Sequence, residues 1–458
     1  MKAKKVISLM LAAMTAVTLF TACRASGSGS GSPSQGTSAA GGKPSSEAST
    51  GAGEAQESVT ISFWHTYCGS DNASEGFAKA LADFQKANPD IRLDIEEVNS
   101  AQDSMGTRIS TAMAAGELPD VWTYWGGFVI KDLAGNDLLM DGQEYLELSD
   151  AVKREDINEA AWDYYTIDGK LQGFPTSAAY PAFICNTELF EQCGLELPET
   201  MQDMISAAAV FKEKGIIPLA MGSSGGNPGH FFLSDIEHQV QGGNEAIAGF
   251  GESNSVNNEQ TTAAAQVICD LQQAGVFPSD TVANGDWGPC FELYNSGKAA
   301  MLYSYSWAYS GLTDEMYEKS RIIDMPRIDN CAVEPSKFVQ NISNYGFVVS
   351  KAGWTESEAK KKALVKFIDF MYSDEVTGVL TDAGNMTVRT NWDVAYQTPI
   401  IKDVVDFNAG REVVTSHFNA TTSNDGWNQF LIKCDELFAG NITAEKFAED
   451  VQKAYDED

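Results

Sequence analysis

Several of the nine tryptophans and fifteen tyrosines of this 458-residue chain stand where no helix face or strand alternation claims them. Trp307 in "YSYSWAYSG" (303–311) follows the strand-like run "KAAMLYSY". Trp125 closes "WTYWGG" (122–127), Trp287 opens a helix in "NGDWGPCF", and Trp427 follows a turn in "SNDGWNQF". His65 sits in the loop expected after the first strand, whereas Trp64 and Trp122 are expected to pack. An aromatic ring offers an apolar plate with a polar edge, and neighbouring polar side chains can answer hydroxyls once water is excluded. A solute with apolar C–H faces and a rim of hydroxyls fits that description, and a pyranose is such a solute. Being uncharged, it needs no cluster of like-signed charges.

Other chemistries find less support. No Gly-x-Ser-x-Gly, His-Glu-x-x-His or glycine-rich nucleotide motif occurs. The loop "GSSGGNPGHFF" (222–232) is glycine-rich but lacks the Gly-Lys-Ser/Thr of a nucleotide cradle. His230 and His238 with Asp235 and Glu237 could share a helix side, but a solvated face is the expected reading, and no metal or cofactor is expected. Seven cysteines follow Cys23, none in a Cys-x-x-Cys pair, so a zinc or redox module is not indicated. Cys185 and Cys193 could bridge across a turn, but most of the seven are expected to be free core residues. The formal charge of −33 argues against nucleic acid and anionic lipid as partners. Carboxylates are numerous enough that a glycosidase pair is not excluded by counting.

Alternating strand and helix patterns must position these residues. "VTISFW" (59–64) reads as a strand, followed from Ser74 by a helix with Phe77, Leu81 and Phe84 on one face. "NPD" (88–90) ends it. "IRLDIEEV" (91–98) alternates Ile91, Leu93 and Ile95, and after another helix Val121 begins a buried strand. This βαβαβ order predicts an α/β fold with mainly parallel sheets flanked by helices. Trp125 then lies at a strand's carboxyl end, where open α/β sheets bind ligands. Thr200 with Asp203, and Thr355 with Glu358, fit capping boxes.

The first residues have a separate organisation. Lys2, Lys4 and Lys5 precede an apolar stretch, Val6–Phe20, then Thr21, Ala22 and Cys23. This is the layout of a secretory signal. Ending on cysteine, it resembles the bacterial lipoprotein signal, although Phe20 stands where leucine is usual. Residues 1–22 are thus expected to be removed and Cys23 to carry a diacylglycerol and palmitate, anchoring the protein outside the cell membrane of a Gram-positive bacterium. Residues 24–57 hold no aromatic or large aliphatic residue, so residues 23–58 form a disordered tether with an r.m.s. span of roughly 30 Å.

Five blocks carry a family resemblance: the stretch from "TISFWHTYCGS" to "DIEEV", "AGELPDVWTYWGG", the stretch from "DGKLQGFPTSAAYPAFICN" to "ETMQDM", "GKAAMLYSYSWAYSG", and "NYGFVVSKAGWTESEAKKKALVKFIDFM". In this order they resemble extracellular solute-binding proteins of carbohydrate ABC importers, similar to maltodextrin-binding proteins. The resemblance implies two lobes closing over a sugar by hinge bending, with crossings near 174–178, 322–327 and 384–390. The N-lobe would be 59–175 with 326–385, and the C-lobe 176–325 with 386–458. Prolines in "GFPTS" and "DMPRI" suit extended crossing segments. Trp307, Trp125, His65, Asn227 and His230 match positions of sugar contacts, with Trp287 and Trp427 as second-lobe platforms. Ala179 replaces a glutamate of the maltodextrin pattern, and the adjacent Tyr180 is expected to stack instead. Arg389 is expected to be structural. The partners implied are a neutral mono- or oligosaccharide and the membrane permease, with the protein a monomer. A tethered glycan-binding lipoprotein without a transporter, or a lipoprotein glycosidase, are the alternative readings.

Overall fold

The computed structural model describes residues 58–98, 104–253, 255–340, 345–392, 396–414, 418 and 424–457. The expected signal, Cys23 and nearly all of the tether lie outside the described residues. Among the described residues fourteen strands run in chain order: β1 Val59–His65, β2 Ile91–Glu97, β3 Val121–Trp125, β4 Thr166–Ile167, β5 Lys170–Leu171, β6 Phe174–Ala178 and β7 Pro181–Asn186. They continue with β8 Ile217–Ala220, β9 Ala299–Tyr305, β10 Ser320–Ile323, β11 Phe338–Gln340, β12 Tyr345–Val349, β13 Met386–Thr387 and β14 Glu412–Val414. A six-stranded sheet of order β13-β6-β12-β3-β1-β2 builds the first lobe, and a four-stranded sheet of order β10-β7-β9-β8 builds the second.

The expectation of mainly parallel sheets is corrected. Among the described strands, β1 pairs in parallel with β2 and β3, β8 with β9, and β11 with β14. Helices connect consecutive strands of a local βαβ unit and so return them in the same direction. β6, β7 and β12 lie next to passages between the sheets. β12 pairs antiparallel with both β3 and β6, and β7 with both β9 and β10.

Burial alternates along β1, with Ile61, Phe63 and His65 buried. The Ser74–Ala87 helix covers that face with Phe77, Leu81 and Phe84, as their spacing predicts. Along β2, Ile91 and Leu93 are buried but Ile95 is exposed, because β2 is an edge strand. Beneath β1, the Asp120 carboxylate accepts from the Ser62 amide (2.7 Å) and hydroxyl (2.9 Å). It also pairs with Lys360 Nζ at 2.8 Å, the two side chains being only 12 % and 8 % exposed. Lys360 donates further to the Thr60 carbonyl.

Of the two expected capping boxes, Thr200–Asp203 forms, each side chain accepting from the other's amide. The second does not. Ser357 caps the Glu358–Met371 helix by accepting from Lys360 N at 3.1 Å. Thr355 instead lies in the last turn of the preceding helix, Lys351–Glu356, its hydroxyl donating to the Lys351 carbonyl.

The chain passes from the first sheet to the second through Ala179 and Tyr180, between β6 and β7. It returns between β10 and β12 and leaves again after β13, which pairs with β6. The expected boundary at 385/386 therefore falls just ahead of a first-sheet strand. Arg389 is structural, bonding Asp374 at 2.7 Å and the Tyr372 carbonyl at 3.1 Å. None of the seven cysteines after Cys23 is paired, and Cys185, Cys269, Cys290 and Cys434 are buried. Among the described residues no helix is long and apolar enough to cross a membrane.

Candidate ligand-binding site

β9 runs buried along its whole length and ends at Tyr305. The short helix Ser306–Tyr309 follows at once and carries Trp307. The Trp307 ring meets that of Trp287, the first residue of the Trp287–Asn295 helix, edge-on at 5.2 Å. Trp287 in turn touches Tyr305 (5.6 Å) and Phe231 (5.8 Å). His230 lies 3.9 Å from Phe231 and 5.2 Å from Trp427, which stacks on Phe430 at 5.1 Å. Four expected positions, His230, Trp287, Trp307 and Trp427, thus join one aromatic group of the second lobe. The three indoles are half-buried, so each keeps an open part, while the His230 ring is buried.

Asn227 is half-buried and engaged in its own turn: Nδ2 donates to the Gly225 carbonyl at 3.3 Å, and its carbonyl accepts from Ser224 N. The glycine loop around it is explained by a single side chain. Gly225 and Gly226 adopt positive φ (+62° and +75°), turning successive amides toward one point, an arrangement that cradles anions. Asp435 occupies that point, accepting from Gly225 N (2.9 Å), Gly226 N (2.8 Å) and Ser223 Oγ (2.7 Å). Burial nonetheless raises its carboxyl above the usual range. Asp435→Ala would leave three donors without their acceptor. We expect a loss of about 1.5–3 kcal/mol in urea denaturation, whereas an unchanged midpoint would show that water replaces the carboxylate at no cost.

In the first lobe Trp125, half-buried at the end of β3, meets Tyr345 at 5.1 Å, and Tyr345 meets Tyr67 at 5.7 Å. The Tyr345 hydroxyl bonds Thr123 Oγ1 (3.1 Å) and Thr66 Oγ1, and burial pushes its pKa up to about 12. Sequence reasoning singled out neither tyrosine, although Tyr345 lies in the "NYGFVVS" block. His65 is a correction. It is 2 % exposed, its ring lying 5.2 Å from both Phe63 and Phe77 in the core. Burial lowers its pKa to about 4, and it presents no face to a solute. Trp64, expected in the core, points the other way and is half-buried beneath the Arg108 guanidinium at 4.9 Å. Trp122 packs fully, as expected.

Tyr180, half-buried, sits in the first passage between sheets, its carbonyl accepting from Ser306 N at 2.9 Å. Asn72, which sequence reasoning missed, follows β1 and donates to the Trp307 carbonyl (3.0 Å) and Ser310 Oγ (2.7 Å). Ser310 Oγ also donates to the Ala383 carbonyl at 2.9 Å. Gly384, at φ +90°, packs so closely that a Cβ would stand 2.8 Å from Trp307 Cα. The Trp307 helix is therefore gripped from the first lobe as well as from its own.

The Gly229–Glu237 helix, expected to be solvated on the side of Asp235 and Glu237, is buried all round. Tyr303 OH donates to Asp235 at 2.6 Å and Thr261 Oγ1 to Glu237 at 3.1 Å. Burial raises their pKa values to about 7 and about 8. Among the described residues no group of three or more His, Cys, Asp or Glu is placed to hold a metal ion. A carboxyl whose folded pKa is raised binds its proton more tightly in the folded state, so its contribution is complete at low pH and is lost as pH rises toward that pKa. His65 has the opposite sign but acts only below its ordinary value of 6.5. Melting temperature should therefore fall between pH 6.5 and 8, with a slope of up to roughly 1.4 kcal/mol per pH unit for each acid still protonated. Glu237→Gln should flatten that fall; an equally steep profile in the variant would contradict the assignment.

Two α/β lobes with aromatic side chains gathered on each, and passages between them, define a two-lobed binding protein. Residues 70–378 match the family described as bacterial extracellular solute-binding protein, and the chain belongs to that family. An uncharacterized ABC transporter extracellular-binding protein of Pyrococcus horikoshii is 26 % identical over 289 residues, 61 % of this chain and 64 % of the relative. The multiple sugar-binding protein of Streptococcus mutans is 27 % identical over 151 residues, 32 % of this chain and 33 % of that protein. The match thus spans less than two thirds of the length of these curated relatives. Among solved structures, one from work on xylan utilization by Caldanaerobius polysaccharolyticus superposes with a TM-score of 0.76 at 22 % identity, covering 86 % of this chain and 99 % of that one. A chitin oligosaccharide binding protein gives 0.75 at 20 % identity, covering 87 % and 98 %. At these identities the likeness concerns the fold.

Proposed function

We propose that this protein is the substrate-binding lipoprotein of an ABC importer, capturing a neutral mono- or oligosaccharide between its lobes and delivering it to a membrane permease. The observation that carries this reading is the second-lobe aromatic group, in which Trp287, Trp307 and Trp427 keep open ring area. Trp125 and Tyr180 would complete the enclosure from the first lobe and the passage. The names of the relatives, a multiple sugar-binding protein and a melibiose/raffinose/stachyose-binding protein of Bacillus subtilis, support a sugar as the solute. His65 is left out of the contact set because it lies in the core. The lobes would be the two sheets with their helices, divided at 179–180, 324–344 and 388–398. The sequence around Cys23 supports a lipid anchor, and Cys23→Ser should release the protein into the medium.

Closure would follow from preferential affinity of the sugar for the closed arrangement, since a ligand shifts a conformational equilibrium only by its differential affinity. A thermal-shift screen against mono- and oligosaccharides tests the reading. A ligand bound only by the folded state raises the melting temperature by RT ln(1 + [L]/Kd) in free energy. A carbohydrate that gives a saturable rise supports the proposal; a panel in which only charged solutes do so would overturn it.

A further inference from the structure

The Ser306–Tyr309 helix meets the first lobe through Ser310, the residue that caps it. Asn72 Nδ2 donates to Ser310 Oγ at 2.7 Å and to the Trp307 carbonyl at 3.0 Å. A hydroxyl carries one hydrogen, and that of Ser310 has two acceptors in reach. One is the Ala383 carbonyl of the first lobe (2.9 Å), the other the Trp307 carbonyl of its own helix (3.0 Å). While Asn72 supplies the Trp307 carbonyl, the Ser310 hydroxyl is free to cross to Ala383. With Asn72 withdrawn, the hydroxyl can turn back to Trp307, and the exposed Asn72 amide returns to water. The bonds between the lobes can therefore be broken without stranding a polar group on the Trp307 helix.

The first-lobe side is preorganised. In the turn that presents Asn72, Asp71 N donates to the Cys68 carbonyl (3.1 Å), and the Asp71 carbonyl accepts from Ser74 N (3.0 Å). The Asp71 carboxylate accepts from Ala73 N at 2.8 Å, and Ala73 is buried. Gly76 packs so tightly on Val379 that a Cβ would stand 2.9 Å from Val379 Cγ1. Val379 belongs to the Asp374–Asp382 helix, whose C-cap is Ala383, so Asn72 and Ala383 are carried on one packed unit. Neither residue lies on a passage between the sheets, and no covalent link holds them against Ser310. We propose that Asn72 and Ser310 form a clasp between the lobes, which fastens when they close around the sugar and holds the Trp307 platform through its backbone carbonyl. The inference rests on the carbohydrate-receptor reading and makes Asn72 a positioning residue, acting through Trp307 and not on the sugar. Because the clasp strengthens the closed arrangement alone, losing it lowers the closed fraction and with it the apparent affinity.

Asn72→Ala and Ser310→Ala remove the clasp from opposite sides. Calorimetry with the best-binding sugar of the thermal-shift panel should show a Kd about five- to tenfold weaker for each. The double variant should lose no more than the weaker single variant, to within about twofold, because both changes break the same clasp. Asn72→Asp keeps the side-chain shape but puts an acceptor where the donor was, and should weaken binding at least as much as alanine. The loss should lie in koff with kon unchanged, since the clasp fastens after the sugar has entered. An unchanged Kd in Asn72→Asp or in either alanine variant overturns the clasp and leaves the receptor reading intact. Additive losses in the double variant also overturn it, because Asn72 would then act on the sugar directly, and so does a loss confined to kon. If no carbohydrate binds the parent protein, the receptor reading falls, and the clasp is judged on the free protein by small-angle X-ray scattering. The double variant should then have the larger radius of gyration; an equal radius overturns the clasp as well.

Discussion

Trp307→Ala is expected to weaken carbohydrate binding by at least tenfold in calorimetry. An aromatic contact contributes up to about 1.5 kcal/mol beyond the area it buries, and a buried tryptophan anchor commonly costs about 2 kcal/mol or more when truncated. The position suits such a test because the local backbone does not depend on the ring. Asn72 bonds the Trp307 carbonyl, and Ser306 N bonds the Tyr180 carbonyl; both bonds survive the substitution. What disappears is the plate and its edge contact with Trp287. Trp307→Phe should lie between the two, retaining a smaller face. Unchanged affinity in the alanine variant would reject Trp307 as a platform.

Asp120→Ala should destabilise the folded protein by about 3–5 kcal/mol, the range for breaking one side of a buried ion pair. Lys360 would keep its charge at 8 % side-chain exposure with only the Thr60 carbonyl and the more exposed Glu356 nearby. The Ser62 amide and hydroxyl would lose their acceptor in the same step. Pairing the change with Lys360→Met should recover part of the loss, because an apolar side chain removes the stranded charge. The measurement is chemical denaturation of each variant. A single-variant loss below about 1 kcal/mol would mean that solvent reaches Lys360 and that the pair is not sealed.

Local pattern carried the reading furthest where one element buries one face. Phe77, Leu81 and Phe84 recur at helical spacing and lie where that spacing puts them. The same alternation of Ile61 and Phe63 extends to His65, so its burial was legible; treating it as a loop residue concealed that. The second-lobe indoles could be noted one by one, but nothing local shows that Trp287, Trp307 and Trp427 meet, since they come from different elements. Tyr345 and Asn72 were less visible still, because their roles arise from pairing across strands and from contact between lobes. Strand direction also depends on how the chain passes between sheets, and hydrophobic period does not report it. The burial of Asp235 and Glu237 ran against residue type, and only the packing of the Gly229–Glu237 helix reveals it.

The carboxylate of Asp435 seated in the Ser223–Gly226 turn has a consequence for selectivity. Donors that could have clasped a phosphate ester are already committed within the protein, and a solute bearing one would meet a negative charge there. Phosphorylated sugars should gain no foothold at this turn.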